Sequence, residues 1–183
     1  MKAPIAGWRA EHENFARLLD LFEREVAVFH AEERPNYELL LDVLRYLGHY
    51  PDRYHHPRED VAFARLARHD PSLATTVARL QQEHRVIAAA GARLLDLLEG
   101  VLVGSFAERS QIERECAMYL VYYRHHINAE ERGIMPIAER LLTDEDWKAI
   151  SAAVGSGHDP LFGSHVDEGY RELRSRIETE AGP

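Results

Sequence analysis

The chain has 183 residues, of which 45% are apolar, enough for one domain with a sizeable core. Lys+Arg 22 against Asp+Glu 31 gives a net charge of -9, which leaves no basic excess to neutralise phosphates and argues against a nucleic-acid partner. A single cysteine, Cys116, excludes an internal disulfide, no apolar run approaches the roughly 20 residues of a membrane-spanning helix, and MKAPIAGWRAEHENF carries no signal-peptide core, so the expected compartment is cytoplasmic.

Helical periodicity runs through most of the chain. Ile5, Trp8, Phe15, Leu19, Phe22 and Val26 step by 3, 4 or 7 and draw one stripe, with His12 in phase between Trp8 and Phe15. The stripe ends before a polar, proline-bearing turn at 32–36. In the second segment, from Tyr37, Leu40, Leu44 and Leu47 lead to His55, Glu59, Phe63 and Leu66. Pro57 lacks a backbone donor and crowds the carbonyl four residues earlier, which predicts a kink beside the histidines. The third stripe is Leu73, Val77, Leu80, Ile87, Leu94 and Leu98, with His84 in phase, Ser72 as the expected N-cap, and Gly100 and Gly104 at the end. The fourth, after Ser105, carries Ile112, Cys116, Tyr119, Tyr123 and Ile134, with His126 and Glu130 in phase, and runs on to Leu142.

No strand pattern occurs. Four long amphipathic segments with short connections predict an all-α, up-down-up-down four-helix bundle over residues 1–142. Residues 143–183 form a short C-terminal helical extension: a capped helix start at Thr143, a loop at 155–160, and a last, less apolar helix over 166–180.

His12, His55, Glu59, His84, His126 and Glu130 are the polar residues that fill the apolar stripes. His55–Glu59 and His126–Glu130 are i,i+4 pairs, so each projects from one side of its helix. The spacing repeats: His12 to His55 is 43 residues, His84 to His126 is 42, and both lone histidines follow a glutamate, in Glu11-His12 and Glu83-His84. A buried carboxylate without a partner costs several kcal/mol, so two glutamates aimed at one core need cations. Four imidazoles and two carboxylates suit a dinuclear site, His12 and His55 on one ion, His84 and His126 on the other, both glutamates bridging. His56 and His125 are expected to face away, a register choice that leaves each of them a possible substitute for its neighbour. His30, His49 and His69 read as solvated, His158 and His165 as tail residues, and Tyr119 and Tyr123 as core residues or as donors near a bound ligand.

EHENF at 11–15, YHHPRED at 54–60, EH at 83–84 and HHINAEE at 125–131 resemble the hemerythrin-like, cation-binding four-helix bundles, over about residues 5–142. HDPLFG at 158–163 is similar to a tail string of bacterial members. The resemblance implies two iron ions bridged by two carboxylates and an oxo or hydroxo group, and a site that binds or senses O2 or NO. The oxygen carriers of the family place two histidines one turn apart on the third helix; here Leu80 and Ala88 flank His84 at that spacing. Their fourth-helix carboxylate follows its histidine by five residues; here His126 to Glu130 is four, while His125 to Glu130 and His126 to Glu131 are five. The four-His, two-Glu set is closer to the bacterial iron-centre repair proteins and to the hemerythrin-like domain of an iron-sensing F-box protein, without the cysteine-bearing N-terminal segment of many repair proteins. One metal position is then open, or filled by water, Glu83 or Glu131. A binding or sensing protein is the first expectation. A di-iron enzyme acting on peroxide or NO, an iron donor in repair, and a bundle holding Zn or another divalent ion are the alternatives.

Overall fold

The structure is a computed structural model, and residues 4–31, 34–155 and 157–180 are described. It contains eight α-helices among those residues: α1 (Ile5–His30), α2 (Tyr37–Tyr50), α3 (His56–His69), α4 (Ala74–Leu102), α5 (Arg109–Ala129), α6 (Met135–Leu141), α7 (Asp144–Ala153) and α8 (Arg171–Glu180). No described residue is in a strand. The fold is the expected all-α bundle, built from four rods: α1, α2 with α3, α4, and α5 with α6. α1 packs on α2 and α5, and α4 packs on α2, α3 and α5. No helix among the described residues is long and apolar enough to cross a membrane.

Two rods are interrupted by a π-turn. One spans Pro51–His55 and joins α2 to α3; the other spans Glu130–Ile134 and joins α5 to α6. In each the backbone N–H after the turn reaches the carbonyl five residues back, His56 to Pro51 and Met135 to Glu130. In each a proline, Pro57 or Pro136, takes the second position of the next helix. The irregularity expected at Pro57 therefore falls one turn upstream. Proline lacks the N–H that would bond four residues back, and a wider turn accommodates that loss. Arg58 Nε donates to the Tyr54 carbonyl at 2.8 Å.

The apolar stripes pack as two clusters. Toward one end lie Phe22, Val26, Leu40, Leu44, Leu94, Leu98, Ile112 and Cys116. Toward the other lie Ile5, Trp8, Phe63, Leu66, Val77, Leu80, Ile134 and Ala138. Each end combines the start of one rod with the finish of its neighbour, which is the up-down alternation. Phe15, Phe22 and Phe63 are fully buried, and each such side chain stabilises the fold by about 1.5–3 kcal/mol relative to exposure. Gly91 lets α5 approach α4, because a Cβ there would sit 3.2 Å from the Tyr119 ring.

Local signals hold with one correction. Asn36 caps α2, its side chain accepting from the Leu39 N–H at 3.1 Å. Ser72 does not cap α4. It lies inside a 3-10 turn, Pro71–Leu73, whose cap is Asp70; the Asp70 carboxylate accepts from Ser72 N–H and hydroxyl, and the residue at the cap of α4 is Leu73, with no side-chain cap bond. α4 ends at Leu102, and two residues beyond it Gly104 has a φ of 88°, the left-handed conformation that favours glycine. Thr143 and Asp146 form a capping box at the start of α7, which packs on α3. α8 packs on α1 and α2, with Leu173 and Ile177 buried. The turn expected at 32–36 lies partly outside the described residues, as does the side chain of His30.

Candidate metal centre

Between the two apolar clusters lies a polar layer. The stripe of each rod runs from one apolar cluster to the other, and at the crossing it carries a histidine or glutamate: His12 on α1, His55 at the end of the first π-turn, Glu59 on α3, His84 on α4, His126 on α5, Glu130 at the start of the second π-turn. All six are buried, none more than 5% exposed. The structure brings them together.

Their inner atoms lie at the separations of atoms that share a cation. His12 Nε2 is 2.9 Å from His55 Nε2, and the two face the same side of Glu59, whose Oε1 is 3.2 Å from His55 Nε2 and 3.5 Å from His12 Nε2. Glu59 Oε2 turns the other way, to 3.6 Å from His84 Nε2. Glu130 places Oε1 3.3 Å from His84 Nε2 and Oε2 3.3 Å from His126 Nε2 and 3.5 Å from His12 Nε2. Ligands at about 2.1 Å from one ion stand about 3.0–3.4 Å apart at octahedral to tetrahedral angles. Both Glu59 oxygens, Glu130 Oε2 and His126 Nε2 are buried without a hydrogen bond. Such atoms are costly to bury unpaired, and all four point into one space. The donor set of imidazole nitrogen and carboxylate oxygen suits Fe, Zn, Mn or Co rather than a soft, thiolate-seeking ion.

Behind the imidazoles stands a ring of half-buried carboxylates, each held at Nδ1. His55 pairs with Glu11, and His126 with Glu83 at 3.1 Å. His12 pairs with Glu131 at 3.2 Å, and His84 with Asp60 at 2.9 Å. An acceptor at Nδ1 fixes the tautomer with its proton there and leaves Nε2 as the inward lone pair, as ligating histidines require. The ring repeats with the chain. In both halves the glutamate before the lone histidine orients the other histidine, and the acid after the inner glutamate orients the lone histidine of the opposite half.

Glu83 and Glu131 are therefore not placed to fill an open metal position. One oxygen of each, Glu83 Oε2 and Glu131 Oε1, stands behind His126 or His12, and Glu83 Oε1 takes Arg79 at 2.9 Å. Glu11 is anchored more firmly, by both oxygens to Arg58 Nη2 at 2.8 and 2.9 Å and by the Tyr50 hydroxyl at 2.9 Å.

His56 does not face away. It is 4% exposed, its ring stacks on His84 at 4.3 Å and 14°, and its Nδ1 pairs with Asp52 at 2.9 Å. Successive residues of a regular α-helix point about 100° apart, and the wider π-turn that ends at His55 reduces that angle. His125, on regular helix, is exposed as expected. His49 and His69 are exposed, the latter pairing with Asp146 at 2.8 Å, and His158 and His165 stack on each other in the tail, away from the layer. Tyr119 and Tyr123 are buried, and the Tyr123 hydroxyl makes no hydrogen bond.

Protons and charge in the layer follow from this geometry. Burial opposes an imidazolium at His12, but Glu131, Glu59 and Glu130 lift it to about 10. Burial likewise opposes charge on His84, and Asp60, Glu130 and Glu59 lift it to about 12. Glu59 is held well below the usual carboxylate range despite burial, by His55, His12 and His84. Burial and the neighbouring His84 and His55 push His56 well below an ordinary histidine. The layer attracts positive charge, which protons supply in the metal-free protein and which an arriving cation would replace.

A helical bundle with buried carboxylates and inward imidazoles at ligand spacing is a metal-binding architecture. Residues 3–138 match the Hemerythrin HHE cation binding domain, and the chain belongs to that family of metal-binding proteins. No curated protein and no solved structure gives a match to the chain.

Proposed function

We propose that the bundle, residues 1–142, holds a carboxylate-bridged pair of non-haem iron ions and binds or senses O2 or NO, with residues 143–183 as its extension. His12 and His55 hold one ion, His84 and His126 the other, and Glu59 and Glu130 span the two. The observation that carries this reading is Glu59: a fully buried carboxylate whose two oxygens make no hydrogen bond and face two different groups of imidazoles. A single ion between His12 and His55 would leave the oxygen that faces His84 with no cation on its own side. When bound, the iron pair supplies the reversible electron transfer that O2 or NO binding needs. The protein's part is to hold four Nε2 atoms inward through Nδ1 carboxylates and to keep water out with Phe15, Trp8 and Tyr123 around the layer. The Tyr123 ring packs against His56, and its buried hydroxyl makes no hydrogen bond, which suits it to donate to a bound oxygen atom.

The test is anaerobic loading with Fe(II), elemental analysis, and visible spectra before and after air or NO. About two irons per chain and a new charge-transfer band are expected. Retention of one ion, or equal occupancy by zinc with no spectral response to O2 or NO, would overturn the reading. Consumption of peroxide or NO far faster than by free iron would make the protein an enzyme instead.

A further inference from the structure

His56 is the one buried imidazole of the layer that the six-residue set leaves without a role. One ring nitrogen of each of His56, His84 and His126 lies within 4.8 Å of the other two, close to the roughly 3–4 Å spread of three donors on one ion with bonds of about 2.1 Å. The His56 ring stands 4.3 Å from His84, 5.6 Å from His55 and 5.8 Å from His126, and its ring nitrogen groups with those of His84 and His126. Its Nδ1 is engaged by Asp52, one turn back on the π-turn, which leaves Nε2 as the nitrogen free to serve as donor. That is the pattern of every other imidazole in the layer: a half-buried carboxylate at Nδ1, and Nε2 inward.

A purely structural histidine explains these facts less well. A neutral imidazole stacked on His84 would fill space, but it would bury a basic nitrogen beside other imidazoles, where a leucine or phenylalanine would pack at lower desolvation cost. The carboxylate at Asp52 adds a second polar group to bury, and Asp52 makes sense as an orienter.

We propose that His56 is a fifth imidazole ligand, on the ion held by His84 and His126, oriented by Asp52. The inference rests on the two-ion reading above and deepens it. The added donor comes from the second rod, through its π-turn, and not from α4, where Leu80 and Ala88 stand one turn from His84. The two ions then differ: three imidazoles hold one and two hold the other. The ion on His12 and His55 keeps more coordination sites for an added ligand.

The full chain is loaded with Co(II), and separately with Fe(II), and exchangeable imidazole N–H protons are counted by paramagnetic NMR in water. A proton at Nδ1 of a ligating histidine, sheltered by its carboxylate, gives a strongly shifted exchangeable signal. Five such signals are expected, for His12, His55, His56, His84 and His126. His56→Leu should lose one signal and weaken binding of one ion by at least about 10-fold, with far-UV circular dichroism unchanged. Asp52→Leu should broaden the same signal by opening it to solvent exchange. Four signals in the wild type, with His56→Leu leaving them and the metal affinity unaltered, would overturn the proposal while leaving the two-ion reading intact. A wild-type chain that takes up only one ion would instead overturn the two-ion reading. The wild-type count decides the matter even if the variants do not fold.

Discussion

The two halves of the bundle carry the same inner residues and differ in what surrounds them. His55 and Glu59 correspond to His126 and Glu130, and the acids that follow, Asp60 and Glu131, correspond too. Three positions do not. His56 stands where the second half has Ile127, Asp52 where it has Tyr123, and Glu11 is clamped by Arg58 and Tyr50 where Glu83 has only the exposed Arg79. The π-turns are also out of register: the first ends at His55, the second begins at Glu130. The first half therefore turns two adjacent histidines inward, and the second turns one inward and one out. A repeat can preserve its inner donor atoms while histidine in place of isoleucine at the next position, together with a shifted π-turn, changes how many imidazoles face the layer.

The largest effect should come from the residues the halves share. Glu59→Gln and Glu130→Gln each replace an oxygen donor of the layer by an amide and should weaken metal binding by about 100-fold or more, read by competition with a chelator. If one variant keeps both ions, the halves are not equivalent even in their inner residues. Next come the orienting glutamates. Glu11→Leu leaves Arg58 and the Tyr50 hydroxyl without their acceptor and should cost about 1–3 kcal/mol in urea denaturation of the metal-free protein. Glu83→Leu should cost under about 1 kcal/mol, because its Arg79 partner is half exposed. Both should lower metal affinity by about 10–100-fold, since each frees an imidazole to rotate. Equal stability losses would remove the asymmetry in anchoring.

Smaller effects bound the comparison to the layer. Burial of Asp146 tends to raise its pKa, but bonds from Thr143, His69 and Arg65 hold it below the usual carboxylate range. Its stabilisation is thus complete above about pH 4 and is lost as pH falls through the lower folded-state value. Asp146→Ala should cost about 1–2 kcal/mol at neutral pH, converge with wild type in strong acid, and leave metal content unchanged. The smallest effect is that of His125→Ala, within about 0.5 kcal/mol and with both ions retained, against the clear loss expected from His56→Leu. A loss of metal with His125→Ala would show that the second half also uses both of its histidines.

How much of this was legible in the sequence differs from one feature to the next. The four rods, the capped start of α7 and the six in-phase polar residues follow from periods of 3 and 4 in the apolar pattern, because a helix buries one stripe and anything on that stripe enters the core. The carboxylate ring left a readable trace as well: Glu11 and Glu83 both precede a stripe histidine, and Asp60 and Glu131 both follow a stripe glutamate. Their partners could not be read, since each bond crosses between rods. The direction of His56 was beyond the pattern. Phase counting assumes 3.6 residues per turn, and a π-turn is a local departure from it. The prolines at 57 and 136 mark that the helices are disturbed, but not where the extra residue is absorbed.

The amino-acid sequence by itself determined that this chain is a helical bundle with two copies of a histidine and carboxylate set on its inner stripes. Side-chain period depends only on local backbone geometry, and the price of burying unpaired carboxylates holds for any packing. Only the tertiary structure decided that Glu59 faces two imidazole groups at once, that five Nδ1 atoms each meet a carboxylate, and that His56 turns inward while His125 turns out. Four of those five Nδ1 contacts join residues far apart in the chain and are set by how the rods pack; the fifth, His56 with Asp52 four residues back, is set by where the π-turn shifts the register.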